Sequence, residues 1–287
     1  MTAAIAAAIL VSGVTAATPL ILAGVGETIR EKAGILDIGI EGEMLAGAFL
    51  AWVAARASGS AAVGGLAALL GGSVVAALFA FFVVARRADP IVAGTAVNLA
   101  VLGITGVLLQ PAAAPGGSSV LAPRIAGPLT AIDLLAIVSV PLAAFFLFRT
   151  SWGLRLRATG ESLTDARALK IPVARYRFAA TVAGGALAGL AGAALTIELS
   201  DTFLEGMTAG RGFIALALVG FGRWRPGRVA LAAVGFGLLQ ALQYQAQARG
   251  TLSLPPQALL MIPYVFSLAA LALRPGTSRS PAGLGKT

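Results

Sequence analysis

Residues 151–177 read SWGLRLRATGESLTDARALKIPVARYR, and this polar interruption decides how the rest of the chain is laid out. Within it Arg155, Arg157, Arg167, Lys170, Arg175 and Arg177 outnumber Glu161 and Asp165. Apolar segments flank it at 132–148 and 178–197. A basic loop between two spanning helices belongs on the cytoplasmic side, where Lys and Arg are retained. The loop carries a short helix of its own. Ser162, followed three residues later by Asp165, fits a capping box with Ser162 as N-cap. Leu163, Ala166 and Leu169 then fall on roughly one face, and Pro172 disfavours helix at Ile171. Two turns span about 12 Å and are too short to be stable alone in water. The helix must lean on its own bundle or on a partner; the plainer alternative is an ordinary connecting loop.

The composition excludes a soluble domain. Of the 287 residues 58% are hydrophobic and 11% charged, against about 25% charged in a soluble domain. Mean hydropathy is +0.90 and the pI is near 11.2. The basic residues cluster in short loops between apolar runs, so retention of positive charge inside explains the pI better than nucleic-acid binding does. The chain has no cysteine and no histidine. Thiol catalysis, disulfides, imidazole metal sites and histidine relays are thereby excluded. The first residues lack a basic n-region and read as a retained helix rather than a cleaved signal peptide.

About 20 apolar residues span a bilayer. By that rule the segments are 3–25, 35–55, 61–85, 91–109, 131–148, 178–197, a short 212–221, 229–246 and 257–273. The expectation is an all-α polytopic bundle of about nine helices over 1–273, with a cytoplasmic loop at 151–177. A basic, disordered cytoplasmic tail follows at 274–287. Arg86 and Arg87, the 151–177 loop, the Arg223/Arg225/Arg228 turn and the tail go inside, and the acidic 198–211 loop goes outside. The C-terminus is then cytoplasmic and the N-terminus faces out.

Few stretches could carry chemistry. The tail ends SPAGLGKT, which nearly spells a phosphate loop, but Ser280 replaces the first glycine and neither strand nor helix can frame it. Asp37, Glu41 and Glu43 interrupt the second apolar segment. A carboxylate at bilayer depth is costly unless it faces protein or water. Asp37 and Glu41, four apart, would share a helix face on a water-filled pathway; alternatively the helix starts later and they lie at the interface. Asn98, Gln240 and Gln243 are uncharged polar groups that either contact a polar solute or bond between helices. No catalytic centre or metal site assembles.

Four stretches in one order are similar to a known family: PLILAGVGETIREKAGILDIGIEGEMLAGAFLAW (19–52), DPIVAGTAVNLA (89–100), the 151–177 loop, and FLEGMTAGRGFIALALVGFGRW (203–224). The chain resembles the permease subunits of bacterial ABC importers, of the branch that takes up nucleosides and simple sugars, related to ribose and branched-chain amino-acid permeases. The charged first motif and the absence of an additional N-terminal helix favour the nucleoside type. The resemblance implies a type II-like fold and a coupling helix docked on a separate ATPase subunit, mapping to Gly160, Glu161, Ala166, Leu169 and Ile171. It implies ATP and Mg on that ATPase and no cofactor in this chain. It further implies a second permease of different sequence, an extracytoplasmic binding protein or lipoprotein, and the bacterial inner membrane. The solute path would involve Asp37, Glu41, Asn98, Gln240 and Gln243. A simple-sugar importer with the same machinery and a stand-alone secondary carrier remain as alternatives.

Overall fold

The computed structural model describes residues 2–112, 121–126, 129–249, 261, 265 and 280–286. The helices are α1 (Thr2–Lys32), α2 (Ile40–Ser58), α3 (Ala61–Ala80), α4 (Pro90–Ala112) and α5 (Ala131–Arg149). They continue with α6 (Ser151–Glu161), α7 (Leu163–Ala168), α8 (Val173–Ala193), α9 (Arg211–Phe221) and α10 (Pro226–Arg249). Wide π-helical turns extend α3 through Phe81–Ala85 and α8 through Ala194–Ser200. A small antiparallel hairpin, β1 (Arg124–Ala126) and β2 (Leu129–Thr130), leads into α5.

Among the described residues six helices are long and apolar enough to cross a membrane. The expectation of about nine is not confirmed among the described residues. α2 has 19 residues but carries Glu41, Glu43 and Arg56. α9 has 11 residues, about 16 Å of helix against about 30 Å of hydrocarbon. The segment expected at 257–273 lies outside the described residues. The tail, expected to be disordered, is ordered over 280–286, where it is seated on the bundle.

α8 runs through the middle of the bundle, packed on α1, α2 and α3. Glycine permits this closeness. A Cβ on Gly47 would strike the Gly189 backbone, one on Gly189 the Ala68 carbonyl, and one on Gly192 the Met44 carbonyl. Without a hydrophobic force between helices in lipid, such close packing holds a bundle together. Gly185 and Gly189, four apart on α8, both face α3, and Gly189 also meets Gly47 of α2. α5 is fixed by a capping box between Thr130 and Asp133. Asp133 also accepts from the Thr18 hydroxyl of α1 at 2.5 Å.

Residues 33–39 form an elbow between α1 and α2, and its core is ionic. Arg30, with no exposed surface, contacts Glu27 at 3.3 Å, Asp37 at 3.0 Å and Glu43 at 2.5 Å. Its Nε donates to the Thr181 carbonyl of α8 at 3.1 Å. Glu27 also accepts from the Asp37 amide at 3.1 Å. Beside this cluster, the Trp224 indole N–H donates to the Glu31 carboxylate. Trp224 and Arg223 both have left-handed backbone, φ 54 and 53, at about 1–2 kcal/mol each. Burial of the Trp224 ring and its indole bond hold that turn.

Two outcomes test this architecture. Arg30→Met leaves three buried carboxylates without their cation, a loss of about 3–5 kcal/mol. It should abolish the monodisperse species on mild heating in detergent, followed by size-exclusion chromatography. Gly189→Val overpacks the α2–α3–α8 contact by at least about 1–3 kcal/mol and should lower the melting temperature in the same assay.

Candidate functional site: a loop platform and a polar cavity

The loop at 151–177 folds as two helices and a turn. Thr150 caps α6, accepting from the Gly153 amide at 3.0 Å, and Ser162 caps α7, accepting from the Asp165 amide at 3.2 Å. The cap expected at Ser162 is where the sequence places it. α7 is shorter than two turns, six residues, and the Ile171 amide closes it onto the Ala166 carbonyl at 2.9 Å. The face proposed from Leu163, Ala166 and Leu169 is split. Ala166 is buried in the chain's own bundle at 1% exposure, whereas Leu169 is 72% exposed. Glu161 is exposed, Gly160 is buried, and Ile171 packs partly against the core. A partner can therefore reach Glu161 and Leu169, while Ala166 is already covered.

The platform touches the elbow directly. A Cβ on Gly160 would strike the Lys32 carbonyl, and the Thr159 hydroxyl lies 3.3 Å from the Ala33 carbonyl. Next to α7 a groove of about 380 Å³ is lined by Val83, Arg87, Leu163, Arg167, Arg175 and Arg177, among others. It is basic because the end of α3 and the start of α8 meet there.

The residues proposed for a solute path separate. Asp37 precedes α2 rather than lying on it, so it shares no helix face with Glu41; it is sealed in the Arg30 cluster. Glu41 accepts from the Gly210 amide at 2.8 Å and the Gly212 amide at 2.7 Å. It thus caps the free N–H groups that begin α9, where a negative charge complements the helix dipole. Asn98 accepts from the Gly42 amide at 2.7 Å and donates to the Ile38 carbonyl at 2.8 Å, a tie between helices. Gln243 is buried, and its Nε2 has no hydrogen-bond partner among the described residues.

Gln240 lines a cavity of about 460 Å³ with Ser12, Thr15, Glu198, Arg211 and Tyr244. These side chains come from α1, the π turn after α8, the start of α9, and α10. Its volume is that of a small-molecule site. Polar groups at membrane depth face a bundle interior or a water-filled space rather than lipid. The sequence carried a faint signal for it: Ser12 and Thr15 lie three apart, and Gln240 and Tyr244 four apart, on single helix faces. Among the described residues no group of His, Cys, Asp or Glu is arranged to hold a metal.

The family model described as "Branched-chain amino acid transport system / permease component" matches residues 9–271. The candidate glucose ABC transporter permease TsgC13 of Haloferax volcanii is 37% identical over 88% of this chain and 82% of its own. The nucleoside ABC transporter permease NupC of Lactococcus lactis is 34% identical over 92% of this chain and 91% of its own. The guanosine ABC transporter permease NupQ of Bacillus subtilis is 29% identical over 94% of this chain and 92% of its own. No solved structure matches the chain significantly. With membrane-spanning helices and a family match over most of its length, the chain belongs to the permease-component family of branched-chain amino acid transport systems, as a multi-pass membrane protein.

Proposed function

We propose that this chain is the membrane permease subunit of an ATP-driven importer of nucleosides. The observation that carries the importer reading is the platform formed by α6 and α7. It is a short capped helix with an exposed Leu169, wedged by Gly160 against the end of α1. An ATPase subunit docked there pushes on the elbow, and the helices rock between inward- and outward-open states. ATP and Mg belong to that subunit. The basic platform faces the cytoplasm by the positive-inside rule, and an extracytoplasmic binding protein delivers solute to the opposite face. A second permease of different sequence completes the pair.

The nucleoside reading is supported by the relatives NupC and NupQ, which align over nearly all of the chain. The polar cavity suits such a solute. Tyr244, 50% exposed, offers a face for stacking a base, and Glu198, Arg211 and Gln240 offer hydrogen bonds to base and ribose. A sugar importer is the second reading, favoured by the similarity to TsgC13.

Uptake into proteoliposomes holding the chain with its ATPase, second permease and binding protein tests both. ATP-dependent accumulation of labelled nucleoside without ribose or glucose is expected; accumulation of sugar alone would move the assignment to the second reading, and uptake indifferent to ATP would sink the importer reading. Leu169→Glu should lower uptake at least about tenfold with the protein level unchanged, because a charge enters the docking contact without disturbing the permease core. Tyr244→Ala should weaken nucleoside uptake about 5-fold or more, the worth of one stacked base, and leave basal ATP hydrolysis unaltered.

A further inference from the structure

Residues 280–286 are seated on the junction of three segments far away in sequence. The Gly283 amide donates to the Gly160 carbonyl at 2.8 Å and the Gly285 amide to the Gly34 carbonyl at 3.1 Å. The Ala282 amide faces the Glu161 carboxylate at 3.4 Å. Pro281 and Gly283 are buried, and Leu284 packs against the main core.

Arg177, on α8, ties the tail to two of these segments, the elbow and the platform. Its guanidinium, 4% exposed as a residue, donates to the carbonyls of Lys286 at 2.6 Å, Ala33 at 3.1 Å and Thr159 at 3.4 Å. The acceptors are uncharged backbone oxygens, so this arginine works through its forked donor geometry. One acceptor lies in the elbow, one in the platform and one in the tail. The joint is also closed to side chains. Gly34 sits at φ +87, where a Cβ would meet Arg177 Nη2 at 2.6 Å, and a Cβ on Gly283 would meet the Gly160 carbonyl at 2.8 Å.

We infer that residues 280–286 are a third member of the coupling element, fastening the α6–α7 platform to the elbow and completing the surface that receives the ATPase. The inference rests on the importer-permease reading. With the tail in place, Glu161 and Gly160 cannot pivot away from Ala33 and Gly34, so force on α7 is delivered to the elbow and its Arg30 cluster. Without it, Arg177 loses one carbonyl, and platform and elbow are joined only by the remaining Arg177 bonds and their direct contacts.

The native chain has no cysteine, which makes the seating measurable. A Glu161→Cys/Ala282→Cys double variant of the full chain in membranes, mildly oxidised and digested with trypsin, should join the peptide 158–167 to the peptide 280–286 by one disulfide. Adding Gly283→Leu should remove that joined peptide. Failure of the joined peptide to form, or its formation regardless of Gly283→Leu, overturns the seating. In the assembled transporter, truncation before Ser280 should lower ATP-driven uptake about tenfold while ATP hydrolysis and subunit assembly persist. Uptake equal to that of the full chain overturns the coupling role. If the full chain itself shows no ATP-driven uptake while the joined peptide still forms, the importer reading has failed and not the seating.

Discussion

A guanidinium sealed away from water is the constraint on which this molecule depends. Arg30 has no exposed surface and meets Glu27, Asp37 and Glu43 together. Each of these ions alone would be prohibitive at that depth, and together they are tolerable only while their geometry is kept. The cluster draws residues from α1, from the elbow and from α2, and the Arg30 Nε reaches α8. Four parts of the fold are therefore held in one arrangement by a single side chain. The hydrophobic effect, which in lipid does not drive helices together, would not specify that arrangement.

From this core a short mechanical route leads to the surface. The end of α1 lies against Gly160, Gly160 against Gly283, and Arg177 spans all three backbones. Apart from the Arg177 fork, the route is made of backbone carbonyls and glycines. Such contacts yield little under load, because no rotamer can change to relieve it. The polar cavity opens among α1, α9 and α10, and α1 and α9 are also the helices that flank the elbow cluster. A displacement that reaches α1 is therefore carried toward the cavity wall past Pro19, the one proline inside that helix.

The sequence was legible where the physics is local. Apolar runs located the long helices, and Ser162 announced the start of α7. Asp37 and Glu41 were harder, because the helix they were expected to share begins at Ile40. Asp37 then belongs to a turn and an ion cluster, and Glu41 caps a helix about 170 residues away in the chain. Partners at that separation leave no trace in spacing. The same holds for Asn98, whose two bonds to the elbow and α2 are one of the two roles its polarity allowed. Ala166 was assigned to a partner because its own bundle could not be seen covering it. The seating of residues 280–286 was not legible for another reason. A Ser/Pro/Gly composition looks like disorder, yet glycine is also what a backbone needs to come within hydrogen-bonding distance of another backbone. Cavity residues such as Glu198 and Arg211 were read as loop charges, since only the π turn after α8 and the start of α9 bring them together.

The short helix α9 is pinned at both ends by carboxylates of the opening half of the chain. Glu41 holds its first amides, and Glu31 takes the indole of Trp224 just past its last turn. The helix is therefore a strut whose length is set by its two anchors and not by the loop that precedes it. In the segment before it, exposed positions such as Leu204 can be recomposed without shifting the strut, whereas Phe203, packed on Phe49 and Trp52, and the buried Thr208 cannot. That separation leaves the outer face of the segment free to vary while the helix stays in place.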